Sequence, residues 1–265
     1  REEAKKLLDE ILKEDPDSVQ ALIGLANILI GEGKTEDVVT LCKKALSIDD
    51  RNIQAYTLLG EVYISRMEHQ QARPYLEKAV EIQPKMTRNV QNLAVCLIGL
   101  KEYQRAEELL KQVLQDYPKF PLTYFHLGLL YEEQGKVEEA CQAYNQEIEN
   151  YPDHYRARFN LGKLLLKRGD LEGYLKHMEK VMQTAPSEAE GYLFYARGRL
   201  LRQDDPGEIL PLVTAGLEKA RTPELKALGY FLLADVYNRL GQPTKVQEAL
   251  ARANQFKNQG EESRR

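Results

Sequence analysis

Apolar residues recur along the chain at helical spacing. In "AYTLLGEVY", Tyr56, Leu59, Gly60 and Tyr63 fall at i, i+3, i+4 and i+7, one face of an α-helix. After a turn, "QQARPYLEKAVEI" places Ala72, Leu76 and Ala79 along one face of a second helix. The same two stripes return down the chain on a fixed beat. Pro84, Pro118, Pro152 and Pro186 are each 34 residues apart, and Pro16 lies two such steps before Pro84, with Asp50 in the slot between. Small residues keep the same beat at Ala26, Gly60, Ala94, Gly128, Gly162 and Ala196, each preceded by Leu or, at 195, by Tyr. Gly33, Gly135, Gly169 and Gly241 fall at equivalent turns, where glycine admits a left-handed residue. Proline then ends each pair, because the residue before it is driven out of helical geometry.

A helical pair of this size cannot bury its own apolar faces, so stacked neighbours must share a continuous core. A helix interior keeps Gly, at a cost of about 1 kcal/mol against Ala, where a larger side chain does not fit. The beat therefore marks points of close helix approach. The order aromatic, Leu-Gly, Tyr, Ala, Pro is plainest in "YTLLGEVYISRMEHQQARPYLEKAVEIQP" and "YFHLGLLYEEQGKVEEACQAYNQEIENYP". It resembles the tetratricopeptide repeat family over almost the whole chain. The fold implied is all-α, a right-handed α-solenoid of about seven helix-turn-helix repeats. We expect a leading half-repeat at 1–18, five regular repeats over 19–188, two further repeats over 189–256 and a polar tail at 257–265. The first of those two further repeats is stretched by four residues, around "RQDDPGE" or "KARTPE". Three residues depart from the family pattern: Arg158 where a bulky anchor is usual, Glu147 where Ala is usual, and Arg199 where an aromatic or Leu is usual. A looser core or a shifted helix is expected there.

Composition narrows the function. With 43% hydrophobic and 29% charged residues the chain has material for a core and does not look disordered. A net charge of −4 and a pI near 5.8 argue against a nucleic-acid partner. Cys42, Cys96 and Cys141 are too widely spaced for a zinc ribbon, and an odd number of them does not make a disulfide framework. The most apolar stretch, "ALIGLANILIG", is broken by Asn27 and is too short to span a membrane, so no membrane insertion is expected. The chain opens on "REEAKKLLDEILKEDP", already helical and without an initiator Met, so an excised module is expected and the compartment stays open.

The reactive letters of "FHLGLLYEEQGKVEEACQAY" give no site. His126 adjoins the Leu127–Gly128 pair, Glu132 and Glu133 end a helix on a solvated face, and Cys141 is a small packing residue. None of the four histidines sits at metal-ligand spacing, and there is no P-loop, no G-x-G-x-x-G and no G-x-S-x-G. No catalytic residue, metal or cofactor is expected within these residues.

What the resemblance does imply is an inner groove lined by the first helix of each repeat, holding an extended or helical peptide. The candidate lining residues here are Arg88, Asn92, Phe125, Leu129, Arg156, Phe159, Asn160, Lys163, Lys167, Leu193 and Arg197. The pairs Arg88/Asn92 and Arg156/Asn160 share i, i+4 spacing, two repeats apart. Asn can donate to and accept from peptide backbone, while Arg can fork onto a carboxylate. Asn92 and Asn160 are similar to the groove asparagines of O-linked N-acetylglucosamine transferase, a ladder that Leu58 and His126 interrupt. No three successive repeats reproduce the carboxylate clamp of chaperone-binding relatives. Arg156, Lys163, Lys167 and Arg197 form a basic stretch in an acidic chain, which points to an acidic protein segment as partner. The bland alternatives are ordinary helix-surface charge for these cations and neighbour packing for Phe125 and Phe159. A second functional class is a C-terminal module of a larger enzyme, a hydrolase such as a sulfatase or a glycosyltransferase, which positions substrate or docks on the catalytic domain.

Overall fold

The computed structural model describes residues 1–262. Among them every regular element is helical. A leading helix α1 (Glu2–Glu14) is followed by first and second helices in alternation: α2 (Val19–Ile30) and α3 (Thr35–Ile48), α4 (Ile53–Ser65) and α5 (His69–Ile82), α6 (Thr87–Gly99) and α7 (Tyr103–Asp116). Then come α8 (Thr123–Glu133) and α9 (Val137–Asn150), α10 (Tyr155–Lys167) and α11 (Leu171–Thr184), α12 (Ala189–Leu201) and α13 (Pro206–Lys219), α14 (Pro223–Arg239) and α15 (Pro243–Glu262). The chain forms two compact units, residues 1–130 and residues 131 onwards.

The turn inside each pair is set by one left-handed residue. These are Gly33, Met67, Lys101, Gly135, Gly169, Gln203 and Gly241, and the first six keep the 34-residue beat. The amide that follows each of them bonds back to a carbonyl in the last turn of the first helix, as Glu68 N does to Tyr63 O at 2.9 Å and Asp170 N to Leu165 O at 2.9 Å. This is the closure that a left-handed cap provides. Three of the seven turns lack glycine, so the beat of the turn extends further than the glycines alone reveal.

Within the first unit, each helix from α1 to α7 packs on the next, and α2 also meets α4 while α4 meets α6. In the second unit α9 to α15 pack in succession and α12 meets α14. The second helices make no comparable contact with one another, so the first helices crowd along the inner side of each unit. The small residues sit where expected: Ala26, Ala94 and Ala196 have no exposed surface, and a Cβ on Gly60 would run into the buried Leu76.

One irregularity departs from the sequence pattern, and another opens within "KARTPE", one of the two places expected. First helix α8 starts two residues late, because Leu122 takes a left-handed φ of +66° after Pro121. Gln91 holds that delayed start by donating its Nε2 to the Pro121 carbonyl at 2.8 Å and to Thr123 Oγ1 at 2.9 Å. The four extra residues near the end are mostly a turn of helix. Helix α14 has 17 residues against 13 in α12, opened by Thr222 as N-cap and Pro223 at the first helical position. The polar tail expected from 257 is helical as far as Glu262, and 263–265 lie outside the described residues. Helices α9, α10 and α12, which carry Glu147, Arg158 and Arg199, start on the beat, so the helix shift expected there does not occur. Arg199 instead spans the next turn, paired with Asp204 at 2.6 Å and Glu208 at 2.5 Å. Glu147 is buried 3.6 Å from His154 Nδ1.

Candidate peptide-binding surface

In the first unit the expected groove residues are occupied by the protein itself. Arg88 forks onto Glu61 through Nε at 2.7 Å and Nη2 at 2.9 Å, and Asn92 Nδ2 donates to the same carboxylate at 2.9 Å. The fork anticipated for a ligand carboxylate is thus filled from the preceding first helix. A cleft of about 160 Å³ beside it is lined by Asn27, Leu58, Glu61, Met86 and Arg88 among others. Thr57 and Gln91 are buried and bond to Asn89 and Thr123 of the next first helix, so this slot joins neighbours rather than facing a ligand. Phe125 and Leu129 are half-buried on α8, with the Phe125 ring 5.7 Å from that of His126.

The second unit presents a more open face. Phe159 packs edge-on against Phe194 of the next first helix, ring centroids 4.8 Å apart, and Lys163 Nζ stands 5.5 Å over the Phe159 ring. Asn160 donates Nδ2 to Tyr144 Oη at 3.3 Å, and that buried hydroxyl donates to Glu132 at 3.0 Å. Asn160 thus spends one amide hydrogen on Tyr144, and its side-chain carbonyl makes no hydrogen bond among the described residues. Arg156 is exposed and leans on Tyr155, with Nε 3.2 Å from its hydroxyl. Lys167 and Arg197 are exposed as well. Among the described residues no carboxylate lies within ion-pairing distance of Arg156, Lys163, Lys167 or Arg197. Glu188 and Glu190 act on Arg156 only at longer range.

Leu193 has no place on this face. It is 0% exposed, in a core with Ala196, Val213 and Val236. Gly216 and Gly229 bring α13 and α14 so close that a Cβ on either would press on the Leu193 side chain. The adjacent Phe194 takes the slot that Asn92 and Asn160 hold in their repeats, and it faces Phe159. Leu201, 52% exposed, and Phe231, 39% exposed, add apolar surface on α12 and α14 that the candidate set omits. The 34-residue beat already placed Phe194 in register with Asn160; what it lacked was the sign that its neighbour is buried.

Among the described residues no group of three or more His, Cys, Asp or Glu is placed to hold a metal ion, and no helix is long and apolar enough to cross a membrane. All three cysteines are free and buried. Burial pushes the Cys42 thiol up to about 12 and the Cys96 thiol up to about 11, leaving little thiolate for nucleophilic attack.

The comparisons with known proteins agree with this architecture. Residues 2–124 match the model of the tetratricopeptide repeat protein 21 C-terminal ARM domain, and residues 109–142 and 127–189 match tetratricopeptide repeat models. No curated protein matches the chain significantly. A tetratricopeptide repeat protein from Parabacteroides merdae superposes with a TM-score of 0.70 at 18% identity, covering 86% of this chain and 91% of its own. The Cut9–Hcn1 hetero-tetramer structure of APC/C gives 0.71 at 14% identity, covering 86% of this chain and 46% of that one. Pseudomonas aeruginosa pilF gives 0.66 at 21% identity, covering 76% and 89%. YrrB, a tetratricopeptide protein with an unusual peptide-binding site, gives 0.52 at 21% identity over 71% and 97%. At these identities the likeness is one of fold. The repeat beat, the left-handed turns and the models matched over 2–124 and 109–189 show a chain built of tetratricopeptide-like repeats and similar to that family.

Proposed function

We propose that the chain is a non-catalytic scaffold that binds an acidic protein segment with apolar anchors across the first helices α10, α12 and α14. One observation carries this reading. Lys163 stands over the Phe159 ring of the half-buried Phe159–Phe194 pair, and Arg156, Lys167 and Arg197 share helices α10 and α12 with that pair. Among the described residues none of the four has a carboxylate partner, in a chain whose net charge is −4. In the same unit Arg199, Arg202 and Arg239 are paired with carboxylates. A cationic strip left unpaired in an acidic protein selects an acidic partner and speeds its capture, while apolar contact supplies most of the affinity. The Asn160 carbonyl accepts a backbone N–H of the bound segment and fixes its path without reading its sequence. Use as a binding scaffold also accords with two of the similar folds, YrrB with its peptide-binding site and Cut9 in its hetero-tetramer with Hcn1.

The test is a titration with synthetic peptides in which Asp or Glu alternates with Leu or Phe, against the same peptides carrying Lys in place of the acids. Acidic peptides bind and the lysine versions do not. Phe159→Ala weakens binding by about 1–2 kcal/mol, the size of an interface anchor. Arg156→Glu with Lys163→Glu weakens it further and flattens the salt dependence of what remains. Equal binding of acidic and basic peptides overturns the proposal.

A further inference from the structure

Arg158 is the departure from the repeat that the binding face does not use. Three repeats earlier, the equivalent Tyr56 donates its hydroxyl to the Asp50 carbonyl at 3.0 Å and packs its ring 6.4 Å from that of Tyr75. In the pair formed by α10 and α11, Arg158 stands for that tyrosine and His177 for Tyr75. Arg158 keeps the tyrosine's hydrogen bond, since Nε and Nη2 donate at 3.0 and 2.9 Å to the carbonyl of Pro152, the residue equivalent to Asp50. The aromatic packing is what has been lost. In its place a cleft of about 230 Å³ opens between α10 and α11, lined by Arg158, Lys176, His177, Glu179, Lys180 and Gln183.

The charges around that cleft do not balance. Arg158, Lys176 and Lys180 bring three permanent positive charges against the single carboxylate of Glu179, and among the described residues none of the three cations is ion-paired. With Nε and Nη2 engaged at Pro152, Arg158 retains Nη1 as a donor for something else. The local field registers on His177, whose pKa is lowered by burial and by the adjoining charges of Arg158 and Lys176, with Asp170 opposing them. An excess of two positive charges among the residues lining an open cleft matches a dianionic phosphoryl group, which also accepts several charge-assisted hydrogen bonds at once.

We propose that the Arg158–Lys176–His177–Lys180 cleft is a binding site for a phosphoryl group, carried either by a phosphorylated protein segment or by free phosphate. The His177 ring is the natural reporter, because it lines the cleft. The experiment follows the histidine ring resonances while inorganic phosphate, and separately a phosphoserine peptide, is added at constant ionic strength. His177 is expected to shift saturably while His69 and His126 do not. Arg158→Tyr, which restores the residue found at position 56, is expected to keep the thermal melt and to weaken binding at least about tenfold. Lys176→Gln with Lys180→Gln, both on exposed positions, is expected to weaken it similarly. Tighter binding of the peptide than of phosphate assigns the site to a phosphorylated segment, and equal binding assigns it to the free anion. A His177 resonance that stays fixed with both probes, or an Arg158→Tyr protein that binds phosphate as well as the parent, overturns the proposal.

Discussion

Tyr174 occupies a slot that holds alanine at positions 72, 106 and 140, and the chain accommodates it through a glycine. Its ring is 0% exposed, and its hydroxyl donates to the Phe194 carbonyl at 2.5 Å, which fixes the ring beneath α12. The space comes from Gly198 in α12, where a Cβ would lie 2.6 Å from Tyr174 Cε1 and 2.7 Å from Leu175 Cδ2. In the two preceding repeats the same place holds the buried Leu130 and Leu164, opposite Ala106 and Ala140. Gly198→Leu inserts four carbons into a filled space, and its cost reaches the upper end of overpacking, about 3 kcal/mol. Tyr174→Ala leaves a cavity and loses the bond to the Phe194 carbonyl, at about 3–5 kcal/mol. The double variant recreates the Ala140–Leu164 arrangement. It should be at least about 2 kcal/mol more stable than the sum of the two single changes, a coupling expected only of residues in contact. Urea melts followed by circular dichroism measure all four proteins, with the slope of each transition checked for loss of cooperativity. Costs that simply add would refute the claim that Tyr174 and Gly198 exchange volume.

The left-handed turns make a second prediction. Met67 is 76% exposed and holds φ +60°, so Met67→Gly relieves strain without losing contacts and stabilises by about 0.5–1 kcal/mol, whereas Gly169→Ala costs about 1–2 kcal/mol in the same melts. The cysteines make a third. With its thiol pushed up to about 12, Cys42 is almost wholly protonated at pH 8, so a disulfide reagent should label it in native protein far more slowly than in urea. Native labelling as fast as unfolded labelling would contradict its burial.

Much of the fold was legible because its determinants are periodic. Pro84, Pro118, Pro152 and Pro186 mark the ends of pairs, Gly60 and Gly162 the close approaches, and both follow from backbone sterics that any repeat must obey. What escaped was set by pairs of residues far apart in sequence. Leu193 looked like a groove residue by its position, yet the missing side chains of Gly216 and Gly229 close two helices over it. Arg88 and Asn92 looked free to hold a ligand, and only the structure places Glu61 between them. Arg158 looked like a defect, although its guanidinium makes the hydrogen bond that a tyrosine makes in another repeat. The late start of α8 was hidden for a different reason, since Leu122 does not signal a left-handed residue by its chemistry.

The central claim is that ligands lie on the first helices of the second unit. It is tested most directly by mapping amide and side-chain resonances as an acidic, apolar-anchored peptide is added. The account predicts saturable shifts at Phe159, Asn160, Lys163, Phe194 and Arg197, with α11, α13 and α15 little changed. Shifts confined to those second helices, with Asn160 and Phe194 unmoved, would contradict it.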